Sequence, residues 1–175
     1  MPDGPSIRVD DADARRRLKL FETLLSDLRP FWPAVVTLQR DWWRRQFETE
    51  GAFASSVTDL RFSRGVRSGS GWAPLSPTYA IAKARRFPGK PILQATGAMR
   101  RAFDSPQRYV SPHTLTLVVD DPKAEFHQEG TPNMPARPVA FGDPLPAIAD
   151  FELRDAADRY AKEAWDRLGL GGAAG

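Results

Sequence analysis

Apolar residues recur at helical spacing toward both ends of the chain and at strand spacing only in its middle. Residues 11–29 predict an amphipathic helix with Leu18, Phe21, Leu24, Leu25 and Leu28 on one broad face; Asp10, Asp11 and Asp13 favour its positive end and Pro30 stops it. A second helix is predicted from Pro33, a good first helical residue, to about Glu50, with a stripe of Val35, Leu38, Trp42, Trp43, Gln46 and Phe47 and with Gly51 as C-terminal cap. The short connection makes the two a helical hairpin. A last helix is predicted from Asp143-Pro144 to Leu168, carrying Ile148, Phe151, Ala157, Tyr160, Ala164 and Leu168 on one side, with Gly169 as its cap.

Between these helices the pattern changes. Ala52–Phe62 extends the second helix or forms a third, and Arg64–Gly71 reads as a flexible basic loop. Trp72-Ala73-Pro74-Leu75 reads as an extended anchor. Ser76-Pro77 starts a helix to about Arg86, with the Ser76 hydroxyl as N-cap, and Phe87-Pro88-Gly89 ends it. Thr96 caps a short helix from Gly97 to Phe103. Arg108–Val110 and Thr114–Val119 predict two strands around a Ser111-Pro112-His113 turn, a short helix ends near His127, and Arg137–Phe141 predicts a further strand. The expected fold class is α+β: an N-terminal helical hairpin and a C-terminal helix flanking a small antiparallel sheet with Pro-rich irregular loops. The expected organisation is a helical arm over 1–32, a single core over 33–168 and a flexible Gly/Ala tail over 169–175.

Composition sharpens this picture. Twelve of the 16 prolines lie between Pro74 and Pro146, and an internal proline costs a helix about 3 kcal/mol, so the middle must be built of short elements and fixed turns. The net charge of +3 is unevenly laid out: residues 1–50 are neutral, 51–110 carry +8 and 111–175 carry −5. The basic middle suits DNA, RNA or an acidic protein face, or pairs with the acidic part within one fold or between copies. No apolar run is long enough to span a membrane and no signal-peptide pattern opens the chain, so a cytoplasmic place of synthesis and no membrane partner are expected.

Most catalytic chemistry finds no support. The chain has no cysteine and only two histidines, His113 and His127, which excludes thiolate chemistry and leaves too few ligands for most histidine metal sites. Gly89-Lys90 is followed by Pro91, which removes an N–H donor that a phosphate loop needs. Gly69-Ser70-Gly71 starts like a dinucleotide fingerprint but runs into Pro74. Ser70 with His127 and Asp120 or Asp121 has the residue types of a hydrolase, without the spacing that would bring them together. The acids Asp10, Asp11 and Asp13 lack the glycine and glutamate of a calcium loop. Trp42 and Trp43 beside Arg40, Arg44 and Arg45 could stack on nucleic acid, but adjacent helical residues point about 100° apart, and packing, with one tryptophan in the core, is the favoured reading. No cofactor and no enzymatic activity are expected.

One ordered series of motifs stands out. Gln46-Phe47-Glu48-Thr49-Glu50-Gly51 precedes Trp72-Ala73-Pro74-Leu75-Ser76-Pro77-Thr78-Tyr79 and Lys83. Then come Ile92-Leu93, Thr96-Gly97-Ala98-Met99, Phe126-His127-Gln128-Glu129-Gly130-Thr131 and Pro135-Ala136-Arg137-Pro138. This series resembles the virion morphogenesis, or tail-completion, family of tailed bacteriophages and related prophage elements. The resemblance covers about residues 40–142. The sequence departs from the family pattern at Ala124-Glu125-Phe126, where Tyr-Ala is usual, and in a longer gap from Gly51 to Trp72.

The resemblance implies a structural protein of the head–tail junction. It would act as a homo-oligomeric ring, expected to be a hexamer, placed between head connector or adaptor proteins and tail terminator or tail-tube proteins. It would reside in the neck or tail of a virion or phage-like particle assembled in the bacterial cytoplasm. The motif residues expected to carry structure or interaction are Trp72, Pro74, Leu75, Lys83, Ile92, Leu93, Thr96, Gly97, His127, Gln128, Gly130, Pro135, Arg137 and Pro138. Arg61, Arg64 and Arg67 are candidates for contacts with packaged DNA in the ring lumen. Trp72 and Leu75 are expected to clamp their loop onto the core, and Arg137 to pair with a carboxylate. The alternative is a stand-alone, sequence-independent nucleic-acid-binding protein using the basic segment 61–108.

Overall fold

A computed structural model describes residues 12–55 and 71–167. The elements follow in the order α1 (Ala12–Leu25), α2 (Trp32–Glu48), α3 (Ala52–Ser55), α4 (Pro77–Arg86), α5 (Ala98–Asp104), β1 (Gln107–Val110), β2 (Leu115–Val118), α6 (Ala124–Glu129) and α7 (Ala147–Arg167). The fold is α+β, with a single antiparallel two-stranded sheet in which Gln107 faces Val118 and Val110 faces Leu115.

Helix α2 is the centre of the packing and contacts α3, α5 and α7. Its adjacent Trp42 and Trp43 are both buried, where the sequence assigns one to the core. Neighbouring helical side chains diverge by about 100°, and here each direction has its own apolar cluster. Trp43 joins Phe47, Trp72, Met99, Phe103 and Val139, while Trp42 joins Phe53 and Ala149. Edge-to-face ring pairs order the first cluster, with Trp43 and Phe103 centroids 5.1 Å apart and Phe47 and Trp72 centroids 5.8 Å apart. Leu117 and Val119 lay the inner face of the hairpin on that cluster.

The ends of α2 follow their local chemistry. Pro33 sits in the first turn, and the Gly51 N–H donates back to the Gln46 carbonyl at 2.9 Å with φ +91° at Gly51, the left-handed cap expected of a glycine there. The boundary expected at residue 32 falls inside packed structure, because Phe31 is buried with its ring 5.2 Å from that of Tyr160.

On α1, Leu18, Phe21 and Leu25 are exposed, while Leu20 and Leu24 are half-buried. Four expectations are corrected. Arg137–Phe141 forms no strand: Pro138 has no N–H to give a ladder, and the N–H groups of Arg137, Val139 and Ala140 go to the His127 carbonyl and the Gln128 side chain. Helix α7 starts at Ala147, past Pro146, whose carbonyl accepts the Asp150 N–H at 2.9 Å. Its buried residues are Ala149, Ala156 and Ala164, so Phe151 points outward, 66% exposed. Ser76 stands at the N-cap position of α4, but its hydroxyl makes no cap hydrogen bond. The 56–62 extension, the basic loop with Arg61, Arg64 and Arg67, and the 169–175 tail lie outside the described residues.

Candidate functional site

The motif segments meet around residues 137–141, which thread from the first apolar cluster, at Val139, to the second, at Phe141. Because this segment lacks a strand partner, its backbone groups are served by side chains. The Gln128 amide acts as a surrogate strand: its Oε1 accepts the N–H groups of Val139 and Ala140, both at 3.1 Å, and its Nε2 donates to the Ala140 carbonyl at 2.6 Å. The Pro138 carbonyl accepts from both the Trp72 indole at 2.8 Å and the Gln46 amide at 3.1 Å.

Arg137 is buried, and it does not pair with a carboxylate as expected. Its guanidinium donates to the carbonyls of Ala73 at 2.9 Å and Pro74 at 3.0 Å, while its own N–H donates to the His127 carbonyl at 2.6 Å. The reason lies in the Trp72-Ala73-Pro74 stretch, whose carbonyls have no secondary structure to enter. A planar fork with several donors is suited to bind two of them at once.

A parallel device fixes the next loop. The buried Lys83 ammonium donates to the carbonyls of Lys90 and Pro91, the latter at 2.7 Å. The Glu50 carboxylate accepts the Ile92 N–H at 2.7 Å, and Gln94 donates its amide to the Phe47 carbonyl at 2.9 Å. Ile92 and Leu93 then pack on the first cluster, with Leu93 held at φ +60°. Leu75 lines a shallow groove of about 210 Å³ together with Lys83, Phe87 and Ile92. Glu50 and Gln94, which complete this bracing, are absent from the expected site residues; a lone polar residue in a loop gives no periodic signal.

Two motif glycines are conformational. Gly97 precedes α5 at φ +73°, and the Thr96 hydroxyl accepts the Ala98 N–H at 3.3 Å. Gly130 ends α6 at φ +81°, where a Cβ would come within 2.8 Å of the Ala136 backbone nitrogen. Its Thr131 neighbour bridges to Met134, turning the chain toward Pro135.

Charged groups elsewhere build structure in the same way. Arg45 and Glu152 form a bidentate pair at 2.9 and 2.6 Å between α2 and α7, and the Trp42 indole donates to the same carboxylate at 2.6 Å. The Arg45 hydrogen bonds hold the Glu152 carboxyl below its ordinary range, against the opposing effect of desolvation. Arg45 also pairs with Asp41 at 2.8 Å and lies over the Phe53 ring at 4.3 Å. This arrangement overturns the stacking platform: Trp42 and Trp43 are buried, and Arg44 and Arg45 are engaged with carboxylates.

The hydrolase reading is likewise unsupported among the described residues. The Asp121 carboxylate accepts the Lys123 N–H at 2.8 Å, and the His127 Nδ1 is buried without a hydrogen-bond partner. Burial pushes the His127 imidazole below its ordinary value, the Arg137 charge adds to that shift, and Asp121 opposes it. Ser70 lies outside the described residues. Among the described residues no group of three or more His, Asp or Glu side chains is arranged to hold a metal ion, and no helix is long and apolar enough to cross a membrane. Comparison of the chain with protein-family models, with curated proteins and with solved structures finds no match.

Proposed function

We propose that this chain is a noncatalytic assembly protein of the head–tail junction of a tailed phage or phage-like particle, working as a ring that joins a filled head to a tail. The observation that carries the reading is the convergence of the motif segments on one frame. Trp72, Lys83, Gln128 and Arg137, drawn from three separate motifs, spend their polar atoms on backbone carbonyls and N–H groups of otherwise irregular chain. Side chains used in this way fix the shape of Pro-rich loops, and a preshaped loop surface lowers the ordering cost of docking. The outward apolar residues Tyr109, Val110 and Val118 on the hairpin, with Phe151 on α7, supply exposed surface of the kind that protein contacts cover.

The test is electron microscopy of particles from a strain lacking the gene, with the purified protein added back. Filled heads beside free, full-length tails, joined when the protein is added, are expected. Normal tailed particles in the absence of the gene would overturn the reading.

A further inference from the structure

Two exposed faces of the chain have opposite charge, and each displays a large apolar side chain. The first is α4. No acidic residue occurs between Asp59 and Asp104. Ile81, 56% exposed, and the exposed Arg85 stand four residues apart on one side of this helix, with exposed Arg86 next to them and Lys90 just beyond, while Tyr79, 55% exposed, leaves from a different side. Lys83 is turned inward and spent on carbonyls, so the outer cations are separate from the bracing lysine. The second face is α6 with its approach. Phe126 is 55% exposed between Glu125 and Glu129, and the exposed Asp120 preceding them keeps this face acidic against the one exposed cation there, Lys123.

Among the described residues, neither set is neutralised. The ion pairs join other residues: Arg29 with Asp27, Arg44 and Arg45 with Asp41, Arg45 with Glu152, Arg100 with Glu48, Arg154 with Asp150 and Arg159 with Asp155. Among the described residues, Arg85 and Lys90 have no carboxylate partner, and Glu125 and Glu129 have no cationic one. Arg86 lies over its own neighbour, Phe87. A chain that carries both members of a complementary pair and does not join them internally can join them between copies.

We infer that the α4 face of one copy docks on the α6 face of a second copy, with Ile81 against Phe126 and Arg85, flanked by Arg86, against Glu125 and Glu129. This rests on the reading of the chain as an oligomeric assembly protein and names the surfaces that would join its copies. Contact between two different patches is head-to-tail and can propagate, closing into a ring if the rotation permits.

The experiment is charge reversal with sedimentation of the full chain at low and high salt. The wild type is expected to self-associate at low ionic strength and to dissociate as salt screens the pairs. Arg85→Glu with Arg86→Glu makes both faces acidic, and Glu125→Lys with Glu129→Lys makes both basic. Each double variant alone is expected to self-associate at least about tenfold more weakly, and mixing the two is expected to restore assembly, because each then meets a complementary face. All four side chains are exposed, so the circular dichroism and melting temperature should stay at wild-type values. Ile81→Ser with Phe126→Ser, which changes no charge, should also weaken association.

A wild type that remains monomeric at low salt, or variants that assemble as well as the wild type, would overturn the inference. So would a monomer whose α4 cations bind DNA instead. The particle experiment separates this from the broader reading. Reversal variants that still join heads to tails would sink the α4–α6 contact alone, whereas copies that associate as described without affecting joining would sink the junction role alone.

Discussion

Trp72 and Gln46 donate to one acceptor, the carbonyl oxygen of Pro138, beside the apolar cluster that holds Trp72 and Val139. A helix residue and a loop residue thereby hold the same point of a segment that cannot form a strand. Trp72 adds its ring to the cluster, so it contributes both packing and a hydrogen bond.

This sharing predicts non-additive stability. Trp72→Phe and Gln46→Leu should each cost about 1 kcal/mol beyond packing changes, because the carbonyl keeps one donor. The double variant, which leaves it with none, should cost about 1 kcal/mol more than the two together. Trp72→Ala should cost about 3–5 kcal/mol through the cavity it leaves. Urea unfolding of the four proteins measures the coupling, and strict additivity would show that the shared acceptor does not matter.

Gly130→Ala should destabilise the fold by roughly 2 kcal/mol or more, by strain at positive φ and by collision with the Ala136 backbone. Gly142→Ala is the matched control, since a Cβ there would meet nothing within 4 Å. Comparison of melting temperatures distinguishes a required glycine from an incidental one.

Glu152 predicts an acid-side dependence. Its folded-state pKa is lowered, chiefly by Arg45, so its contribution is complete above the ordinary value of 4.5 and is lost as pH falls through the folded value. With both side chains partly exposed, the contribution should be of order 1 kcal/mol. Glu152→Gln should flatten the stability profile below about pH 4.5. An unchanged slope between pH 5 and pH 3, read by denaturation (about two pH units around the ordinary value), would contradict the assignment.

His127 predicts a dependence at higher pH. Its folded-state pKa is lowered, so the unfolded chain takes up the proton first as pH falls below 6.5, and stability falls until the folded imidazole also protonates. His127→Asn should remove this step, whereas His113→Asn, at an exposed turn, should leave it in place. A step that survives His127→Asn would locate it elsewhere.

The exposed stripe of α1 predicts near-neutrality. Leu18→Lys and Phe21→Gln should change the stability of the isolated chain by no more than about 0.5 kcal/mol, because neither side chain is buried. A large loss in dilute solution would mean that the stripe is covered.

The limits of local pattern lie in particular residues. The strands around 107–118 were legible because alternation and a Ser-Pro-His turn are local signals, and α4 was legible from its prolines and Gly89. Arg137–Phe141 misled because its composition suits a strand, while strand status depends on a partner that the prolines forbid. Phe151 misled because a helix pattern fixes angular spacing and leaves the covered side to neighbouring elements. The motif residues were legible as an ordered set, but their use was not: Arg137 was expected to meet a carboxylate, and it meets two carbonyls.

By itself, the sequence determined where backbone is free or restrained: helices between prolines, a left-handed cap at Gly51, a short hairpin, and a middle too rich in proline to be one long element. These are consequences of local sterics and spacing. The three-dimensional packing settles that Trp42 and Trp43 serve two different clusters, that Gln128 stands in for a missing strand, and that Leu18, Phe21 and Leu25 of α1 stay exposed. Each of these depends on which distant surface arrives to take a hydrogen bond or cover an apolar face, and no local stretch of chain encodes that.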